Sequence, residues 1–311
     1  SHGGREMERR TVRSVKATRT VMANKTSLML SALLSCLALC RSVGPVVPDS
    51  LRLRGGTGID APPSSACIKV YSENAQGYDT WFEEAYFPGI IGAEFTSVER
   101  AMESFFPERS PLRVLEVGMG TGRFCLHLKK RFPEHEMLGV EPAEGMRKLC
   151  LENFKKHNQT VQLLECAAED LDGCSQQVGE KVDCALFVTV FGFLKDHDKA
   201  VRNVHAVLSP TGCVLVAFID KTTAWGKDYF LMTKEDKFYT DGTCVVHLAE
   251  VVEVFQRNGF DLVEDACYQT LMNYNETKLD LDFVEDEEEA LKVERGYGDG
   301  MWSVLCFRPR S

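Results

Sequence analysis

Three glycines at alternate positions, Gly118, Gly120 and Gly122, follow a mostly apolar run from Val114 to Val117. A helical pattern of Phe124, Leu126 and Leu128 begins directly behind them. A buried strand, a turn able to take positive φ and the start of a helix would therefore meet at one point. Unpaired N–H groups at such a helix start favour an electron-rich ligand, and turn positions without side chains let it approach the backbone. A second strand, Met137–Val140, ends on Glu141. That is about twenty residues beyond the glycines, the spacing at which a carboxylate can hold both hydroxyls of a ribose. A third strand, Val161–Leu164, leads to Ala168-Glu169-Asp170 and brings two more carboxylates to the same sheet edge. The chemistry implied is recognition of a nucleoside-bearing ligand.

Two ligand classes share this arrangement. The dinucleotide pattern Gly-x-Gly-x-x-Gly wants a small residue at 123, where this chain has Arg. With its Gly-x-Gly-x-Gly turn, the chain resembles the class I S-adenosylmethionine (SAM)-dependent methyltransferases. Within them it is similar to the type 11 small-molecule group, to which quinone-ring and arsenite methylating enzymes are related. The resemblance runs over roughly residues 70–311. Val114–Gly122 matches the family's first motif, Glu141-Pro142 its ribose motif and Ala168-Glu169-Asp170 its adenine motif. Val182–Leu186 matches the fourth strand, and Pro210-Thr211-Gly212 with Val214–Phe218 matches a turn and the fifth strand.

The resemblance implies an α/β fold: a Rossmann-like seven-stranded sheet of order 3-2-1-4-5-7-6, the last strand antiparallel, with helices on both faces. Phe260–Val263 and Trp302–Phe307 would be strands six and seven, with helices at Ala200–Leu208 and Leu248–Asn258. It also implies SAM as cofactor and a set of roles. Gly118, Gly120 and Gly122 would receive the methionine part. Glu116 would orient its ammonium group, or else stabilise the loop's own amides. Glu141 would take the ribose hydroxyls, Met146 would cover the adenine, and Glu169 or Asp170 would meet its exocyclic amine. Thr189 would face the sulfonium, and Tyr78 and Trp81 would belong to a lid ahead of the first strand. A long segment after the fifth strand, with Trp225 and Tyr239, would close the acceptor pocket or pack on itself. His197 could act as a base or simply sit before a helix.

Methyl transfer needs alignment and exclusion of water more than a proton-transfer dyad. The lack of an evident catalytic pair fits that chemistry, and the catalytic residues stay unassigned. A non-catalytic SAM-binding protein and a nucleotide-dependent oxidoreductase are the alternatives; the latter would need a hydride-site pair at the strand ends.

The chain has 311 residues and a formal charge of −10. That charge argues against nucleic acid as the main partner and favours small neutral or cationic acceptors. Twelve cysteines include no Cys-x-x-Cys, so reduced structural thiols are expected and no metal site. Cys166 and Cys174 lie near the site edge, but the Asn-Cys pair of arsenite methylating enzymes is missing after the fourth strand. His127, His135 and His157 read as surface helix residues. Residues 1–66 read as a leader and linker: basic residues precede an apolar run, Leu28–Cys40. That run resembles a signal-peptide core and is too short for a stable membrane span. Secretory or plastid-type targeting is expected, with the cytoplasm as the alternative. The domain would occupy 67–311.

Overall fold

The computed structural model describes residues 64–85, 88–108, 111–233, 245–272 and 291–310. The leader therefore lies outside the described residues, as do Tyr239 and the acidic run near 280–289. Two helices open the described chain, α1 (Ser64–Ala85) and α2 (Pro88–Phe105). An alternation follows: β1 (Arg113–Val117), α3 (Arg123–Arg131), β2 (Glu136–Val140), α4 (Glu144–Lys156) and β3 (Gln162–Leu164). Next come α5 (Leu171–Val178), β4 (Val182–Val188), α6 (His197–Val207), β5 (Leu208–Asp220) and α7 (Ala224–Thr233). The last elements are β6 (Val245–Val246), α8 (Leu248–Arg257), β7 (Phe260–Leu262), β8 (Tyr268–Met272), β9 (Leu291–Arg295) and β10 (Trp302–Pro309).

Strands β1, β4 and β5 are near-continuous apolar runs because helices cover both faces of a parallel sheet. Their order is β3-β2-β1-β4-β5-β10, and β7 pairs with the far edge of β10. Counting β10 as the seventh strand and β7 as the sixth, this is the expected path, with β10 antiparallel to both neighbours. Trp302 and Phe307 are five residues apart on β10 and so point to opposite faces. Trp302 stacks on Phe124 of α3, and Phe307 stacks on Phe255 of α8 at 4.2 Å.

Three strands extend the seven. β8 and β9 continue the sheet beyond β10, and β6 adds two residues to the end of β5. β7 and β8 share one edge of β10, interrupted at 264–266 by a single 3-10 turn. There the Cys267 thiol accepts the Cys306 N–H at 3.3 Å, filling in for the carbonyl that bulged away. The expected turn at Pro210–Gly212 lies inside a strand. Leu208 pairs with Val182 and Cys213 with Cys184, so residues 209–212 loop out of the ladder.

Two further expectations are corrected. Cys166 and Cys174 are joined by a disulfide rather than reduced, although Cys184, Cys213 and Cys306 are buried thiols as expected. His135 is 3% exposed and outside any helix; its Nδ1 accepts the Leu112 N–H, and burial lowers its pKa. A histidine after Pro-Glu looks solvated in sequence, but here it fills the gap between α3 and β2.

Candidate active site

The turn after β1 takes left-handed backbone at Gly118 (φ 67), Gly120 (φ 56) and Gly122 (φ 80). At Gly118 the lack of a side chain is also steric: a Cβ would lie 2.3 Å from Val190, on the loop after β4. The N–H groups of Gly118 and Met119 both donate to the Val140 carbonyl, which fastens the turn to the end of β2. Glu141 completes the join. Its Oε2 accepts the Gly120 N–H and its Oε1 the Ala143 N–H, each at 2.8 Å. Burial raises its pKa, and those two backbone donors, with Arg147, oppose the rise. A carboxylate has about four acceptor positions. Two are used here, which leaves two for a vicinal diol.

Around this carboxylate a pocket is walled by Gly118, Gly120, Pro142 and Met146 on one side and by Ala167, Ala168 and Glu169 on another. Val188, Thr189 and Val190 form its third wall. Thr189 has φ 50, a left-handed conformation that costs a non-glycine residue about 1 kcal/mol or more. It is held there by donation from its N–H to the Ala217 carbonyl. The two candidate adenine carboxylates separate. Glu169 lines the pocket, and its Oε1 accepts the Lys195 N–H at 2.7 Å. Asp170 is exposed and turned toward Lys199.

Glu116 stands apart from the pocket lining. Its Oε2 accepts the Cys125 N–H in the first turn of α3, so the helix start holds the carboxyl. Burial pushes it up to about 7. The folded state thus binds this proton more tightly than the unfolded chain, whose value is near 4.5. Stability from this group is complete below 4.5 and is lost as pH rises toward 7, by roughly 3 kcal/mol in all. Glu116→Gln should therefore flatten the fall in melting temperature between pH 5 and pH 8. An identical fall in both proteins would refute the assignment.

The roof comes from α1, which contributes Cys67, Ile68, Tyr71 and Tyr78 to the pocket. Tyr71 meets the rings of Tyr78 and Phe193 edge-on at 5.9 and 5.6 Å. Asp79 fastens this helix to the glycine turn by accepting the Thr121 hydroxyl at 2.6 Å and the Asn153 amide at 3.0 Å. Two turns earlier in α1, Ser72 Oγ accepts the Gly145 N–H at 3.0 Å. Of these residues only Tyr78 was expected. The signal was present: Ile68, Tyr71, Ala75 and Tyr78 recur at helical spacing on one face.

The acceptor-side candidates divide. Trp81 lies on α1. Trp225 packs against the core at the start of α7, outside the pocket lining. Tyr239 lies outside the described residues. His197 is half-buried, bonded through Nε2 to the Phe191 carbonyl at 2.9 Å, and burial lowers its pKa. That bond requires Nε2 to carry the proton, and His197 is not among the residues that line the pocket.

The residues present fit an adenosyl ligand: a turn that approaches closely, a carboxylate with two free acceptor positions, and an apolar wall at Met146. Residues 114–212 match the model of a methyltransferase domain. These residues carry a methyltransferase domain. It is 27% identical over 233 residues to an uncharacterised protein of Methanocaldococcus jannaschii, covering 75% of this chain and 95% of that one. It is 30% identical over 152 residues to the demethylmenaquinone methyltransferase of Thermus thermophilus, covering 47% of this chain and 63% of that enzyme. In fold it is similar to a crystal structure of a SAM-dependent methyltransferase of Thermotoga maritima, described as a possible histamine N-methyltransferase. The TM-score is 0.54 at 23% identity, over 78% of this chain and 99% of that one. The pocket lies at the carboxyl edge of the parallel strands, where α1 lies across the opening.

Proposed function

We propose that this methyltransferase moves a methyl group from SAM to a small-molecule acceptor within the pocket roofed by α1. The observation that carries the proposal is the Glu141 carboxylate, clamped by the Gly120 and Ala143 amides with two acceptor positions still open. When bound, SAM supplies a methyl group made electrophilic by its sulfonium. The chain's own residues do the rest. Glu141 would hold the ribose, Met146 would cover the base, and the Glu169 oxygen not spent on Lys195 would face the exocyclic amine. Thr189 would border the sulfonium. Tyr71, Tyr78 and Phe193 would exclude water, which in a direct displacement matters as much as alignment.

The formal charge of −10 supports a small acceptor over a nucleic acid. Among the described residues no helix is long and apolar enough to cross a membrane. Residues 1–66 are proposed as a targeting leader of secretory or plastid type, ahead of a catalytic domain at 67–311. Calorimetry tests the ligand class. S-adenosylhomocysteine (SAH) should bind the full chain and NAD should not; the reverse result would place the chain among the oxidoreductases.

A further inference from the structure

Helix α2 carries an acid on the face it buries. Glu94 is 3% exposed and precedes Ser97 by three residues, so the two side chains share one side of the helix. Ser97 receives the Trp302 indole N–H at 3.1 Å. The course of the helix shows where that side leads. Ser104 meets the Tyr268 hydroxyl at the start of β8, while Ser97 meets Trp302, the cross-strand partner of Thr270 further along β8. Each turn toward the start of α2 therefore advances toward the sheet edge that carries the glycine turn. Glu94 is one turn further on. Arg123, the first residue of α3 behind that turn, acts on Glu94 through space.

Among the described residues the Glu94 carboxyl has no hydrogen-bond partner. Burial pushes it up to about 8 against the pull of Arg123, while β8 and β10 present the neutral Thr270 and Trp302 on this face. Thr270 is fully buried, and among the described residues its hydroxyl has no partner. As the cross-strand neighbour of Trp302 it projects toward α2. A buried hydroxyl without a partner costs stability that a bound polar ligand would offset, and the buried Glu94 carboxyl lies on the same helix-covered face.

We propose that Glu94 and Thr270 form the polar wall of the acceptor site, and that the acceptor presents there a nitrogen bearing a proton. The proposal rests on the methyl-transfer reading of the neighbouring pocket and adds to it a substrate class, a small amine. In the step, the nitrogen lone pair forms the new N–C bond as the S–C bond breaks. The bonding pair leaves with sulfur, and the N–H proton passes to the Glu94 carboxylate.

An acceptor need not be known to test this. SAH is compared with its analogue in which an amine-bearing carbon replaces the sulfur, so that a cation stands where the methyl would leave. At pH 8.5 the full chain should prefer the amine analogue, and Glu94→Gln should reduce that preference at least tenfold while SAH affinity stays unchanged. Thr270→Val should reduce it two- to fivefold, and it decides the matter where Glu94→Gln does not fold. An unchanged preference in the variants overturns the proposal. If SAH itself fails to bind the unaltered chain, the methyl-transfer reading falls, and this proposal with it.

Discussion

Glu141→Ala is expected to weaken SAM binding by about 2–3 kcal/mol, roughly thirty- to 150-fold in Kd. The size follows from what one carboxylate does in two directions. Toward the ligand it would accept charge-assisted hydrogen bonds from a diol, the stronger kind. Toward the protein it holds the Gly120 and Ala143 N–H groups at 2.8 Å each and so keeps the turn in its receptive shape. Alanine removes both effects. The freed amides face the pocket, where water can reach them, so folding should suffer less than binding. Titration calorimetry on a variant with an unaltered circular dichroism spectrum checks the prediction. An unchanged Kd would remove Glu141 from the site.

The second large effect is expected from Gly145→Ala, a change of one methyl group. Gly145 lies in the first turn of α4, and a Cβ there would stand 2.0 Å from the Ser72 carbonyl oxygen. That neighbour is backbone of α1 and cannot turn aside. The two helices must separate, which also breaks the Gly145–Ser72 hydrogen bond. Alanine itself is favoured over glycine in a helix by up to about 1 kcal/mol, so α4 and the sheet should stay folded. Binding should fall at least tenfold, because α1 supplies Tyr71 and Tyr78 to the pocket. Hydrogen exchange should rise across 64–85 and not in β1 or β4. Unchanged exchange in α1 together with unchanged affinity would show that the helix is not needed for the site.

Contrasting these two residues shows what was legible in the sequence. Glu141 and the glycine turn sit at adjoining strand ends, and their types, order and spacing are dictated by local backbone geometry. The contacts of α1 are not local. Thr121 and Asp79 are 42 residues apart, and Ser72 and Gly145 are 73 apart. Polar residues on a helix look like a solvated face until tertiary packing says otherwise. Glu94 was hidden for the opposite reason. It falls on the helical repeat of Ile90, Val98 and Met102, a buried stripe, yet an acid there reads as an interruption of that stripe.

Strand β9 was missed because Lys292, Glu294 and Arg295 give it the charge of a surface loop. Charges of this kind are common on an edge strand, where they discourage pairing with another sheet. The Cys166–Cys174 disulfide could not be read from spacing alone, since an eight-residue separation matches no pattern that demands a bond.

Because Glu141 already holds the glycine turn in place, little of the binding energy goes into reshaping the floor of the cleft. Any opening would then fall to the roof, which rests on a few polar latches and one close helix crossing. Entry and escape of an adenosyl compound would then wait for that helix to lift. Turnover would be capped by the opening frequency of α1, on the microsecond-to-millisecond scale typical of lids, and the displacement step would run beneath that ceiling.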